Sequence, residues 1–149
     1  MPCDTRLLTF NEMLRLATEQ LSASDNHTTE CRTQLERAKA NVQAAQVSLD
    51  RAIFDEAQAR QAYIDWRNYL NTLPGDCSPS MREKSTGLFN AHVKVQLGTL
   101  SARETVSSSE KTLNEATADI TFAQDAQRKI AEERKLIASE ISKLSRPSR

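Results

Sequence analysis

Aromatic residues make up 5 % of this chain, glycine occurs three times and proline four times. A chain this poor in large side chains and turn formers has little with which to build a compact globule, because both the thick core and the tight connections are missing. No apolar run approaches the roughly 18 residues of a membrane helix, and the N-terminal MPCDTRLLTF lacks the pattern of a secretory signal, so a cytoplasmic location is expected. Charge of one sign is also missing. The formal net charge is zero, without the clustered basic excess that nucleic acid or an acidic membrane surface requires. Cys3, Cys31 and Cys77 stand too far apart for a zinc knuckle or a CxxC pair and read as reduced thiols. His27 reads as a solvated histidine. No phosphate loop, HExxH, GxSxG or GxGxxG is present, so no catalytic residue, metal or cofactor is expected and the chain does not read as an enzyme.

What is present is a seven-residue register. One seam position is filled by Leu7, Leu14, Leu21, Thr28, Leu35, Val42, Leu49, Glu56, Tyr63 and Leu70. The other is filled by Phe10, Ala17, Ser24, Cys31, Ala38, Ala45, Ala52, Ala59, Trp66 and Leu73. No Gly or Pro interrupts them, so a helix of about 65 residues, roughly 100 Å long, is allowed. A period of about 3.5 residues drifts around a straight helix and stays inward only if the helix supercoils with a partner. Leu alternating with Ala suggests two close-packed backbones. The weakest section is SASDNHTTE, Ser22 to Glu30, whose side chains compete for backbone hydrogen bonds. It reads as soft but helical, with a local kink as the alternative.

The boundaries follow from punctuation. Asp4 or Thr5 is the expected N-cap of the first helix. Pro74 and Gly75 end it, and helix 1 covers about 5–73. The turn occupies 74–79. Ser80 with Glu83 forms a capping box for helix 2, with Ser78 before Pro79 as an earlier start. Helix 2 covers about 80–145, with Val106, Leu113, Ile120, Gln127, Arg134 and Ile141 on one seam position. Ala102, Ser109, Ala116, Ala123, Ile130, Ile137 and Leu144 take the other. Gly87 and Gly98, with Val93, Leu97 and Leu100 off register, predict a bend or a short separate helix near 87–98; two glycines cost about 2 kcal/mol relative to alanine. The basic tail after Ser145 contains Pro147, which stops the helix.

Two near-equal segments around a short turn predict an all-α fold, a long antiparallel two-helix coiled-coil hairpin forming a single rod. Folding back pairs residues whose numbers add to about 153, the geometry of antiparallel neighbours. Trp66 then meets Leu88 and Phe89, and Leu35 lies near Ala118. A monomeric hairpin is expected; an intermolecular coiled coil uses the same heptads.

Ala59, Ala62, Tyr63, Trp66 and Arg67 form an A…A-Y-x-x-W-R block just before the turn. Together with the alanine-spaced, charged stretch LNEATADITFAQDAQRKIAEERKL in helix 2, it resembles the YscO/FliJ stalk family of type III secretion systems, most closely its HrpO-like injectisome branch. The likeness runs through nearly the whole chain, with the aromatic block its distinctive part. The chain departs from the family at Asn68 to Asn71, where members tend to carry acidic residues. The resemblance implies a cytoplasmic central stalk, peripheral to the membrane export apparatus. It enters the hexameric export ATPase and links it to the export-gate protein and secretion chaperones. It also implies that the paired termini enter the ring. Arg6, Arg15, Arg146 and Arg149 near the termini, and Tyr63, Trp66, Arg67 and Tyr69 near the turn, are the candidate protein-binding residues. A generic coiled-coil scaffold or adaptor, homodimeric in one version, is the alternative.

Overall fold

The computed structural model describes residues 2–146, with side chains from Thr5 onward. Two helices, α1 (Pro2–Thr72) and α2 (Pro79–Ser145), pack against each other as an antiparallel helical hairpin. Every expected seam position from Leu7 to Leu73 is buried or half-buried, and between them only Ile64 joins that set. The buried ones are small: Ala17, Thr28, Cys31, Ala38 and Ala45. The leucines stay half-buried. A third layer would be needed to cover a Leu that already leans on one neighbouring helix, and two helices supply none. Small residues let the backbones approach, and the flanking leucines shield the seam they create.

The hairpin divides into two compact units. The terminal unit comprises residues up to Arg37 and from Asn114 onward. Its core holds Cys31, Ile120 and Ala123, with Leu35 packed against them. Gln127 Nε2 donates to Asp25 Oδ1, and Arg134 Nε donates to Thr18 Oγ1 at 3.0 Å. The turn unit spans Ala38–Leu113. There the Thr99 hydroxyl is shared between Val95 O of its own helix at 3.0 Å and Ala52 O of α1 at 3.3 Å. Nearer the turn Trp66 Nε1 donates to Ser85 Oγ at 2.7 Å. In both units these partners fall one or two residues from the expected register.

The section Ser22–Glu30 is α-helical throughout. Thr29 bonds back to its own helix: its Oγ1 donates to Asp25 O at 2.9 Å, the i−4 pattern that keeps a hydroxyl satisfied without opening the helix. Thr28 takes the seam and is 1 % exposed, its Oγ1 without a partner.

Several expectations are corrected. The N-cap expected at Asp4 or Thr5 is displaced, since α1 already starts at Pro2; proline is suited to a first helical position, where its missing N–H has no intrahelical partner to lose. The short separate helix expected near 87–98 as one alternative does not occur, since α2 is one helix through both glycines. Its seam simply continues as Met81, Ser85, Leu88, His92, Val95 and Thr99, all buried or half-buried. Burial at these positions outweighs the two propensity penalties. The Ser80 capping box is not the start of α2. Ser78 is the N-cap: Met81 N–H donates to Ser78 Oγ at 3.3 Å and Arg82 N–H to Ser78 O at 3.1 Å. Pro79 with its fixed φ takes the first helical position, which places Ser80 inside the helix. Arg134, on the expected seam, is exposed, its guanidinium swinging out to Thr18. At the turn, Leu73 N–H donates to Leu70 O at 3.2 Å and Gly75 has φ 89°, the left-handed conformation that closes a helix C-terminus. Pro147 and Arg149 lie outside the described residues, as does the side chain of Cys3.

Candidate protein-binding surface

The aromatic block assembles at the turn end of the turn unit. Tyr63 and Trp66 sit on the α1 seam, and both are half-buried. The Tyr63 ring stacks on His92 (centroids 5.7 Å, planes 7° apart) and meets Phe89 at a tilt (5.8 Å, 59°). His92 Nδ1 is buried without a hydrogen-bond partner among the described residues, so ring stacking rather than polar pairing holds that side chain. Phe89 thus packs on Tyr63, not on Trp66 as the expected register had it. Tyr63 and Trp66 lie about one helical turn apart on the same face, so the two-residue offset of the turn unit from the expected register turns Phe89 toward Tyr63.

Trp66 finds polar company instead. Ser85 Oγ, which accepts from its indole, donates in turn to Met81 O at 2.8 Å. Lys84 Nζ lies 4.3 Å from the Trp66 ring centroid, within cation–π range. Tyr69 leans on the same indole at 5.5 Å and is 49 % exposed. Arg67 is exposed, with its guanidinium carbon 5.8 Å from the Tyr63 centroid. Ala62, Asp65, Trp66, Tyr69, Lys84 and Leu88 line an open groove of about 390 Å³. The structure therefore brings Tyr63, Trp66, Arg67 and Tyr69 together on one stretch. Two serve the seam with one face and the surface with the other, a mixed role suited to a contact patch of aromatics and arginine.

The arginines of the terminal unit are arranged differently. Arg15 is already engaged: Nε donates to both Glu12 carboxylate oxygens, at 3.2 and 3.1 Å, and Nη1 to Glu19 Oε1 at 2.6 Å. The hydrogen bond from Arg15 holds the Glu12 carboxyl below the usual glutamate range, and the same bond raises Arg15 above the ordinary arginine value. Its charge is thereby spent on its own helix, which weakens it as a reader of acidic loops. Arg6 and Arg146 are exposed.

One pairing escaped the sequence reading. His27 Nε2 lies 3.7 Å from Cys31 Sγ, beside a shallow recess that also includes Asp119 and Phe122. The i, i+4 spacing on a helix was the available signal. Among the described residues no group of three His, Cys, Asp or Glu side chains could hold a metal ion, and no helix is long and apolar enough to cross a membrane. No family model matches the sequence, and no characterised protein shows significant similarity to it.

Proposed function

We propose that this chain is a central-stalk component of a type III secretion system, engaging the hexameric export ATPase and linking it to the export gate and its chaperones. The observation that carries the reading is the aromatic block: Tyr63, Trp66, Arg67 and Tyr69 gather beside the turn of an antiparallel hairpin. That is the placement the family resemblance implies. The rest of the hairpin supports the reading. Its seam of small residues keeps two helices close, and its grooves are open rather than enclosed, which suits mechanical coupling better than chemistry.

In this proposal the paired termini enter the ATPase ring and the turn faces the gate. The test mixes the full chain with the hexameric export ATPase of the same host and follows ATP hydrolysis. The intact chain is expected to stimulate it. Removing Met1 to Phe10 together with Ser145 to Arg149 is expected to abolish stimulation, while Arg67→Ala with Tyr69→Ala leaves it near normal and weakens capture of the export-gate protein. No stimulation by the intact chain sinks the stalk reading; loss in the turn-end variant alone means the hairpin is inserted the other way up. The scaffold reading is favoured by a separate observation, the apolar side chains exposed away from the seam, such as Leu8, Phe122 and Leu136.

A further inference from the structure

The residues that sit off register in α2 have a use of their own. Val93, Leu97 and Leu100 recur at i, i+4 and i+7, a helical stripe rotated away from the seam. Leu97 is 61 % exposed and Leu100 57 %. With Gln96, Arg103 and Glu56 of α1 they line an open groove of about 390 Å³. Glu56 and Arg103 make no hydrogen bond or ion pair among the described residues.

The register fixes where those two charges lie. Thr99 reaches the Ala52 carbonyl across the seam. The helices run antiparallel, so Glu56, one turn past Ala52, stands level with Val95, one turn before Thr99. Arg103 stands one turn past Thr99 on the other side. The groove therefore has an acidic end and a basic end about 12 Å apart along the helix, a little over two turns, with leucines between them.

We propose that this groove is a self-association surface, filled by the same groove of a second copy of the chain docked antiparallel about a twofold axis midway between Leu97 and Leu100. That axis sets Leu97 of each copy against Leu100 of the other. It also brings each Arg103 to within about one residue of the level of the opposite Glu56. An isologous contact requires a patch complementary to itself, and a groove with opposite unpaired charges at its ends and an apolar centre meets that requirement. The zero formal net charge leaves no long-range repulsion between copies. The apolar part of the contact, Leu97 and Leu100, is exposed on α2, and only Glu56 belongs to the half-buried seam edge, so the pairing does not require the two helices to separate and holds whether or not the hairpin serves as a stalk. Three apolar side chains from each copy and two ion pairs in all make a small interface, of the transient class, with a dissociation constant on the order of 100 μM.

Sedimentation equilibrium on the full chain, from about 10 μM to 1 mM, reads this directly. A monomer–dimer equilibrium weakened by salt is expected. E56K and R103E each place like charges at both contacts, and each lowers the association constant about tenfold or more. An equimolar mixture of the two variants regains association, because a mixed pair has opposite charges at both contacts. Leu97→Gln, at an exposed position, weakens the dimer with helicity by circular dichroism unchanged; it guards against misfolding of a variant at the half-buried Glu56. A chain monomeric at every concentration overturns the proposal and leaves the groove to a different protein. A dimer indifferent to the single reversals, or a mixture that stays monomeric, overturns it as well. The measurement contains no ATPase, so its failure is distinct from failure of the stalk reading.

Discussion

Gly87 and Gly98 stand inside an unbroken helix without needing to be glycine. Both carry ordinary helical backbone, since Gly75 alone among the glycines has positive φ, and a Cβ built at either meets nothing within 4 Å. Nothing in the folded state opposes a side chain. In the unfolded state glycine has more backbone freedom to lose than alanine, which makes each glycine about 0.8–1 kcal/mol worse in a helix interior. The two sites are about 16 Å apart along the helix and share no neighbour, so their effects add. Gly87→Ala with Gly98→Ala is expected to stabilise the hairpin by about 1.5–2 kcal/mol, a rise in Tm of about 4–7 °C for a chain of this size. Gly75→Ala is the opposite control. Its left-handed φ has open space around it but no tolerance for a Cβ, and the change costs about 1 kcal/mol. Circular dichroism melts and urea titrations of the three variants decide the matter, with the urea slope checked for constancy. If the double variant melts at or below the parent temperature, α2 needs flexibility or close approach at these glycines, and the argument from open space is wrong.

Two further outcomes follow from local chemistry. Ser78→Ala removes the oxygen that caps α2 and lowers stability by about 1 kcal/mol, whereas Ser80→Ala changes it by no more than a few tenths; chemical denaturation of both tells the true cap from the apparent capping box. Glu12 has a lowered pKa from its hydrogen bond to Arg15, so its contribution to stability is complete above the ordinary glutamate pKa and is lost as pH falls through the lowered value. An NMR titration is expected to find the Glu12 carboxyl below the ordinary glutamate value and Arg15→Gln to return it upward; a Glu12 pKa unmoved by that substitution refutes the pairing.

The hairpin was legible in the sequence wherever the seam was apolar or small. All of α1 from Leu7 onward could be placed from its register, including the soft Ser22–Glu30 section, because a sustained period outweighs local propensity. The first part of α2 was not legible, for a definite reason. Its seam is carried by Ser85, His92 and Thr99, while Leu97 and Leu100 face outward, so hydrophobicity pointed to the wrong face. Polar seam residues become readable only when their partners are known: Trp66 for Ser85, Tyr63 for His92, the Ala52 carbonyl for Thr99. The aromatic block was identified as a unit, yet its internal pairing required a register finer than counting back from a turn provides. Phe89 moved from Trp66 to Tyr63 on that difference alone. The Arg15 clasp was available as Glu12 and Glu19 at i−3 and i+4, spacings that mark intrahelical ion pairs.

The polar bonds across the seam have a mechanical consequence. A Leu/Ala ladder with a seven-residue repeat looks much the same after one helix slides a heptad along the other, so the apolar packing alone offers a series of near-equivalent detents. The bonds from Trp66 to Ser85 and from Thr99 to Ala52 exist at one setting only. Slipping the turn unit by one notch strands a half-buried indole N–H, at about 1–3 kcal/mol for an unsatisfied buried group, while the Thr99 and Ser85 hydroxyls fall back on bonds within their own helix. These bonds act as a key in a shaft: an axial push or twist on one helix is passed to the other without slip until the key shears.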